Sequence, residues 1–460
     1  MAKIGTKEMT SGPLLLPIFR YTLPIIATGA LQLLFNTADL IVVGWFCGET
    51  SVGSVGATGA LNSLIINLFM GLSVGAGVEV AQALGSRNKQ RVHQTVHTAI
   101  PVAIICGVIV TVIGVTFCGK FLEWMDTPEE NLKLATLYMR IYFSGMVFTL
   151  LLNFGAAILR AAGDTMRPML YLTLAGVVNV VLNVIFVTLF HMDVAGVALA
   201  TVISQAVSAI LILRALMKRE DACKLKLREM SIHRKPLFRM IAIGVPAGIQ
   251  SSLFAISNVL IQSSINSFGS VALAGSTAAA NLEGYLYIVM NSFNQTVMNF
   301  AGQNTGAHNY KRIGKLYWVC LLMTTIIGFV LGGLVCLFAK PLLCLYGADS
   351  AEALHTGTVR LICICLPYFL CGILEVATGA VRGMGISLSP MIVTVLGVCG
   401  LRILWLFTLF AKHHSLEWLF VSYPISWAVT FLAISGIFFS VLHFRKKQFK
   451  KETIYSKEQL

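Results

Sequence analysis

Of the twenty acidic residues in this 460-residue chain, four interrupt long apolar runs: Asp39, Glu79, Glu283 and Glu375. Asp39 sits in LQLLFNTADLIVVGW, with Gln32 and Asn36 seven and three residues before it. On a helix that spacing puts all three on one side. A carboxylate flanked by amides can hold a sodium ion in a cage of oxygens. It can equally take up a proton, since burial disfavours the charged form, or be satisfied by nearby hydroxyls. Asn179 and Asn183, in GVVNVVLNVIF, are four apart and stack on one helix face, and Thr201 in VALATVISQ can add a hydroxyl. The same trio can instead serve as interhelical amide glue.

The second half has its own polar set. Glu283, in NLEGYLYIVMNSFNQTV, lies among Asn281, Asn291, Asn294 and Gln295, which make one face wet. Glu375, in CGILEVATGAVRG, is two turns from Arg382 and either faces a cavity or pairs with a cation. A cleft with such acids would suit organic cations. Tyr285, Tyr287 and Phe293 offer aromatic faces for them or else mark a lipid interface. Glu79, close to the end of its run, reads as partly solvated.

Other patterns lead nowhere. GVTFCGKF at 114–121 fits Gly-x4-Gly-Lys, but it lacks the Ser/Thr and no strand precedes it. The eleven cysteines lie mostly in apolar segments and none has zinc-ligand spacing with a nearby His pair. No Ser/His/Asp or metal-binding constellation is visible. An enzyme is not expected, nor a resident cofactor or metal beyond a transported ion.

The elements that position these residues follow from composition. Apolar residues are 57% and charged residues 12% of the chain, about half the roughly 25% of soluble domains, and mean hydropathy is +0.80. Soluble multidomain and disordered proteins are excluded. A spanning helix needs about 20 apolar residues. Twelve blocks qualify: 21–46, 54–84, 93–119, 134–158, 168–190, 194–217, 238–265, 271–302, 316–339, 357–380, 389–411 and 417–444. The fold class is an all-α polytopic membrane protein with 12 transmembrane helices. At that depth an acid costs about 2.5–3.5 kcal/mol on insertion scales, so each buried one needs a reason.

The net charge of +14 is not spread evenly: 27 of the 34 Lys/Arg fall on one side of the twelve-helix pattern, Lys3 and Lys7 among them. Arg360 and Arg402 belong to the remaining seven, placed on the other side or in helix ends. Basic loops stay cytoplasmic, so both termini are expected there. The positive charge then sets topology and touches anionic membrane lipids; no nucleic-acid partner is implied. The N-terminus carries no short apolar core with a cleavage site, so no signal peptide is expected.

The chain also repeats itself. EVAQALGSRNKQR at 79–91 aligns with FAGQNTGAHNYKR at 300–312, matching Gln82 with Gln303, Asn88 with Asn309 and Arg91 with Arg312. LRAAGDTMRPM aligns with VRGMGISLSPM, and Pro24 with Pro246. The shift is 221 or 222 residues throughout. This gives an N-lobe at 1–217, a cytoplasmic linker at 218–236, a C-lobe at 237–445 and a basic cytoplasmic tail at 446–460. Six helices per half insert both halves the same way round, as in parallel-repeat transporters, with a central cleft and alternating access by rocking. Pro24 and Pro246 open the first helix of each half and either bend it or act as a hinge. Gly71 and Gly75, four apart, read as helix-packing contacts.

Together these residues resemble the multidrug and toxic compound extrusion (MATE) family over nearly the whole chain. The features are Asp39 in the first span, the Gln82–Gly85 and Gln303–Gly306 pair, and Arg160-x-x-Gly163 and Arg382-x-x-Gly385 with their following prolines. The resemblance implies two pseudo-symmetric six-helix bundles in a V shape, exporting small organic cations or drugs in exchange for Na+ or H+. Asp39 then matches the N-lobe cation site, Asn179 and Thr201 its partners, and Pro24 a kinking proline. Gln32 and Asn153 line the N-lobe cavity. Asn183 departs from the pattern, since many relatives carry Asp there. The seventh span, PAGIQSSLFAISN, lacks the acid some relatives use, leaving Glu283 and Glu375 as substitutes. A monomer in a bacterial inner membrane is expected. Two rivals stand beside this reading: a lipid-linked oligosaccharide flippase of the same superfamily, which would need a cationic cavity, and a membrane receptor that binds without transporting.

Overall fold

In this computed structural model, which describes residues 9–125 and 127–458, every regular element is helical and no strand occurs among the described residues. Lys3, Lys7 and the last two residues of the basic tail lie outside that range. The helices are α1 (Leu15–Phe46), α2 (Glu49–Gly85), α3 (Lys89–Trp124), α4 (Glu129–Ser144), α5 (Met146–Ala161), α6 (Met166–Val184), α7 (Asp193–Met217) and α8 (Arg234–Asn266). They continue with α9 (Ser270–Gly306), α10 (Tyr310–Leu337), α11 (Ala339–Leu345), α12 (Ala351–Arg360), α13 (Phe369–Gly383), α14 (Leu388–Thr394), α15 (Leu401–Trp405) and α16 (Leu416–Glu458). In hydrocarbon a backbone has no water to bond to, so these apolar runs form helices that satisfy their own amides.

Among the described residues nine helices are long and apolar enough to cross a membrane, and eleven if two bent pairs each make one span. Those pairs are Glu129–Ser144 with Met146–Ala161, bent by 48°, and Ala351–Cys365 with Phe369–Gly383, bent by 42°. The remaining expected span, 271–302, is the continuous 37-residue helix α9. Its amides and Glu283 keep its hydropathy below that of its neighbours.

The internal repeat recurs as backbone geometry. Helices α2 and α9 are both 37 residues long. Each follows a glycine in the left-handed region, Gly48 at φ 87° and Gly269 at φ 95°. After each comes a non-glycine residue with positive φ, Arg87 at 55° and His308 at 54°. Then an asparagine caps the next helix: Asn88 Oδ1 accepts from the Arg91 amide at 2.9 Å, and Asn309 Oδ1 from the Arg312 amide at 3.4 Å. Short polar side chains at that position satisfy an amide left over by the first turn.

The chain divides into two compact units. One is built on Leu23–Ser252 and the other on the stretch ending at Thr22 together with the chain from Leu253 onward. The first turns of α8 therefore pack within the first unit, and glycines make this possible. A Cβ on Gly75 of α2 would meet Met240 O and lie 2.9 Å from Gly244 N. One on Gly244 would lie 2.6 Å from Leu72 Cα. With no Cβ the two backbones touch, as small residues allow in membrane helices.

Glu79 differs from its solvated reading. It is 1% exposed, and its carboxylate accepts from Arg91 Nε and Nη2 at 3.0 Å each and from Arg239 Nη1 at 3.4 Å. Two guanidinium groups satisfy it where water would otherwise be needed, which ties the start of α8 to α2 and α3. The second unit uses the equivalent arginine differently. Arg312 donates to the carbonyls of Met9, Ser11 and Gly12 at 2.7–3.1 Å, holding the stretch that leads into α1.

Candidate functional site

The first unit contains a cavity of about 480 Å³ bounded by α1, α2, α4, α5, α6 and α7. Gln32, Asn36 and Asp39 reach it from α1, Asn153 from α5, Asn179 from α6 and Thr201 from α7. Six of the residues singled out in the sequence thus line one space. Asp39 is the one charged side chain among its lining residues.

Close packing of α1 on α6 sets the geometry. Phe35 occupies the space that Gly176 leaves open; a Cβ there would overlap its ring. One turn beyond Phe35, Asp39 Oδ1 accepts from Asn183 Nδ2. Asn183 is fully buried behind the cavity wall and its Nδ2 also faces Asn179 Oδ1 at 3.4 Å. Asn179 Nδ2 in turn donates to Thr201 Oγ1 at 3.3 Å. The four residues form one chain of polar contacts from α1 through α6 to α7. The Asn183 Oδ1 atom is buried with no hydrogen-bond partner among the described residues. A buried amide oxygen left unpaired costs about 1–3 kcal/mol, so this arrangement has unused acceptor capacity next to a carboxylate.

The cavity also has polar residues that the sequence reading passed over. Asn67, Tyr142, Thr149, Ser204, Gln205 and Ser208 line it, and Thr149 Oγ1 donates to Gln205 Oε1. Part of that signal was present. Thr201, Ser204, Gln205 and Ser208 recur at helical spacing along α7, a polar stripe in an otherwise apolar run. Asn153 Nδ2 donates to Thr149 O within its own helix at 2.7 Å. Pro24 lies inside α1, which stays a single helix through it.

The structure does not bring Glu283 and Glu375 into this cavity; both belong to the second unit. Glu283 Oε2 pairs with Arg360 Nη2 at 2.9 Å, and Arg360 Nη1 also donates to Ser276 Oγ at 2.7 Å. Glu375 accepts from Asn294 Nδ2, which also donates to the Glu375 carbonyl at 3.0 Å. Phe293 is 1% exposed and presents no face to a ligand, whereas Tyr287 is exposed.

Arg360 is the last residue of α12 and Arg402 the second of α15, and both are buried. They are 7% and 5% exposed, and Arg402 stacks over the rings of Tyr423 at 3.9 Å and Trp427 at 5.6 Å. Their Nη and Nε donors go to Ser276 and Ser426. Cations inside apolar runs need a reason just as acids do, which is the signal that could have found them.

A family model described as MatE matches residues 24–185 and again 246–408. The chain belongs to the MatE family. The two matched blocks begin at Pro24 and Pro246, a pair already matched in the internal repeat. Among curated relatives of this MatE chain, the probable multidrug resistance protein YoeA of Bacillus subtilis (strain 168) is 28% identical, covering 93% of this chain and 94% of that one. The probable multidrug resistance protein NorM of Thermotoga maritima is 24% identical, covering 84% and 83%. A solved structure of a multidrug resistance MATE family transporter in an outward-facing conformation aligns with TM-score 0.89 at 22% identity, over 97% of this chain and 100% of that one. That likeness establishes the fold.

Proposed function

We propose that this protein is a secondary active antiporter that exports small organic cations, drugs among them, by alternating access in exchange for inward-moving Na+ or H+. The observation that carries the proposal is the polar chain Asp39–Asn183–Asn179–Thr201 at the wall of a cavity whose lining has one charge. A monovalent cation there neutralises Asp39, with Asn179, Asn183 and Thr201 offering further oxygens. As a proton carrier, Asp39 uses the amides as hydrogen-bond partners. The relatives' names as multidrug resistance proteins support the cargo class, and an acidic cavity suits organic cations better than an anionic head group.

The mechanism is competition. Cation entry from outside discharges Asp39, α1 rearranges around Pro24, and cargo leaves outward. Each charge moving through 100 mV provides about 2.3 kcal/mol, which bounds the electrical part of coupling to roughly 50-fold per ion. The protein works as a monomer in a bacterial cell membrane, with both termini in the cytoplasm, where most of the basic loops would meet anionic lipid.

Ethidium efflux from proteoliposomes, with a sodium gradient and a pH gradient imposed separately, tests this. Efflux driven by one gradient and abolished in Asp39→Asn at normal membrane expression supports the proposal and names the ion. Normal efflux by Asp39→Asn sinks it, as does saturable binding without flux under either gradient.

A further inference from the structure

At one end of α3, His93 and His97 are four residues apart on one face, and the linker brings Glu229 up to them. His93 Nε2 lies 2.6 Å from Glu229 Oε2. The two imidazoles stack with centroids 3.8 Å apart and planes 23° from parallel. One ligand atom from each of the three residues lies within 4.8 Å of the others. A pair of histidines one turn apart plus a carboxylate is a donor set for a borderline transition metal, whereas Ca²⁺ and Mg²⁺ favour oxygen alone.

From this geometry we infer that His93, His97 and Glu229 form a cation site for a divalent transition metal such as Zn²⁺ or Co²⁺, which pins the linker to α3.

His97 is already prepared as a ligand. Its Nδ1 lies 2.8 Å from the carbonyl of His93, an acceptor only, so Nδ1 carries the proton and Nε2 the lone pair. That lone pair now accepts the Lys226 amide at 3.1 Å. A backbone carbonyl fixing the tautomer of a ligating histidine is the usual outer support of a metal site. His97 is fully buried, so its position is set by packing. His93 and Glu229 have side chains 35% and 43% exposed, free to swing the short distance needed for metal–ligand bonds of about 2.0–2.2 Å. A divalent ion bound here replaces the direct His93–Glu229 contact with two metal–ligand bonds.

Lys226 is the built-in competitor. Its Nζ sits 2.9 Å from Glu229 Oε1, supplying a positive charge that a metal would have to displace or tolerate. Around this point the linker is well anchored. Ser231 N donates to His97 O at 3.3 Å and His233 N to Thr98 Oγ1 at 3.1 Å, so metal binding has to shift the linker backbone only at Lys226, whose amide gives up His97 Nε2.

The test uses the full chain, purified without a polyhistidine tag, titrated with Co²⁺ and followed by visible absorption. Expected are one Co²⁺ per chain, affinity lowered at least about tenfold in His93→Gln and in Glu229→Gln, and tighter binding in Lys226→Met. Both His93 and Glu229 are surface side chains, and an unchanged gel-filtration profile separates lost binding from lost fold. Zn²⁺ should also slow tryptic cleavage of the linker at Lys224 and Arg228 in the parent chain and leave His93→Gln unaffected. Equal Co²⁺ affinity in the parent and both glutamine variants overturns the inference, and so does Zn²⁺ protection that persists in His93→Gln.

Discussion

Asn183 donates an amide hydrogen to Asp39 across the α1–α6 contact, while its own carbonyl oxygen stays buried and unpartnered among the described residues. The amide therefore serves the Asp39 carboxyl group and keeps an oxygen in reserve beside it. Replacing Asn183 with leucine removes both at similar size. A hydrogen bond to a charged group contributes about 1.5–3 kcal/mol, so gradient-driven ethidium efflux should fall by roughly tenfold or more. Asn183→Asp retains an oxygen ligand and should lose less. Unchanged efflux in Asn183→Leu would remove this residue from the coupling site.

Gly75 and Gly244 let α2 and α8 touch backbone to backbone. Gly75→Val forces side-chain atoms into that contact, and overpacking of this kind costs about 1–3 kcal/mol or more. The detergent-solubilised variant should lose its monodisperse gel-filtration peak at a lower temperature than the parent. Gly333 has open space where a Cβ would go, so Gly333→Ala should leave that temperature unchanged.

Arg91 meets Glu79 through two donors at 3.0 Å each and is 26% exposed, whereas Arg239 makes one contact at 3.4 Å and is 54% exposed. Arg91→Ala should therefore destabilise more than Arg239→Ala. Glu79 is buried, and taking away Arg91 leaves its charge poorly compensated. Thermal inactivation of the two variants in the same detergent gives the order, and equal midpoints would contradict it.

The Glu283–Arg360 pair makes a similar prediction with a sharper control. Both side chains are mostly buried, so breaking the pair from one side costs about 3–5 kcal/mol by leaving one charge alone. Arg360→Met should express poorly. Combining it with Glu283→Leu should restore much of the folded yield, because a neutral pair needs no mutual compensation. A double variant no better than Arg360→Met would mean the pair has a role beyond charge balance.

Much of this was legible in the residues. Asp39, Gln32 and Asn36 share a helix face because their spacing is helical, and Asn179 stacks under Asn183 for the same reason. The repeat could be read because matching loops kept their Gly, Asn, Arg and Pro, and these are the residues whose backbone or capping geometry recurs. Glu79 was misread because its position near a helix end suggests water, while the arginines that bury it come from α3 and α8, 12 and 160 residues away. The burial of Arg360 and Arg402 was hidden for a related reason. A lone arginine near a helix end gives no sign of its partners until Glu283, Tyr423 and Trp427 are brought to it.

The sequence by itself determined what is local or periodic: which segments are apolar enough to be helices, where the halves repeat, and which polar side chains share a face. Only the tertiary structure decided which faces meet. Phe35 seating on Gly176 brings Asp39 to Asn183, 144 residues along the chain. Arg360 draws Glu283 into an ion pair, and the linker carries Glu229 to two histidines on α3. The physical reason is that spacing along a helix fixes direction within one element. Which helix faces which depends on steric fit between side chains far apart in sequence, and no periodicity records it.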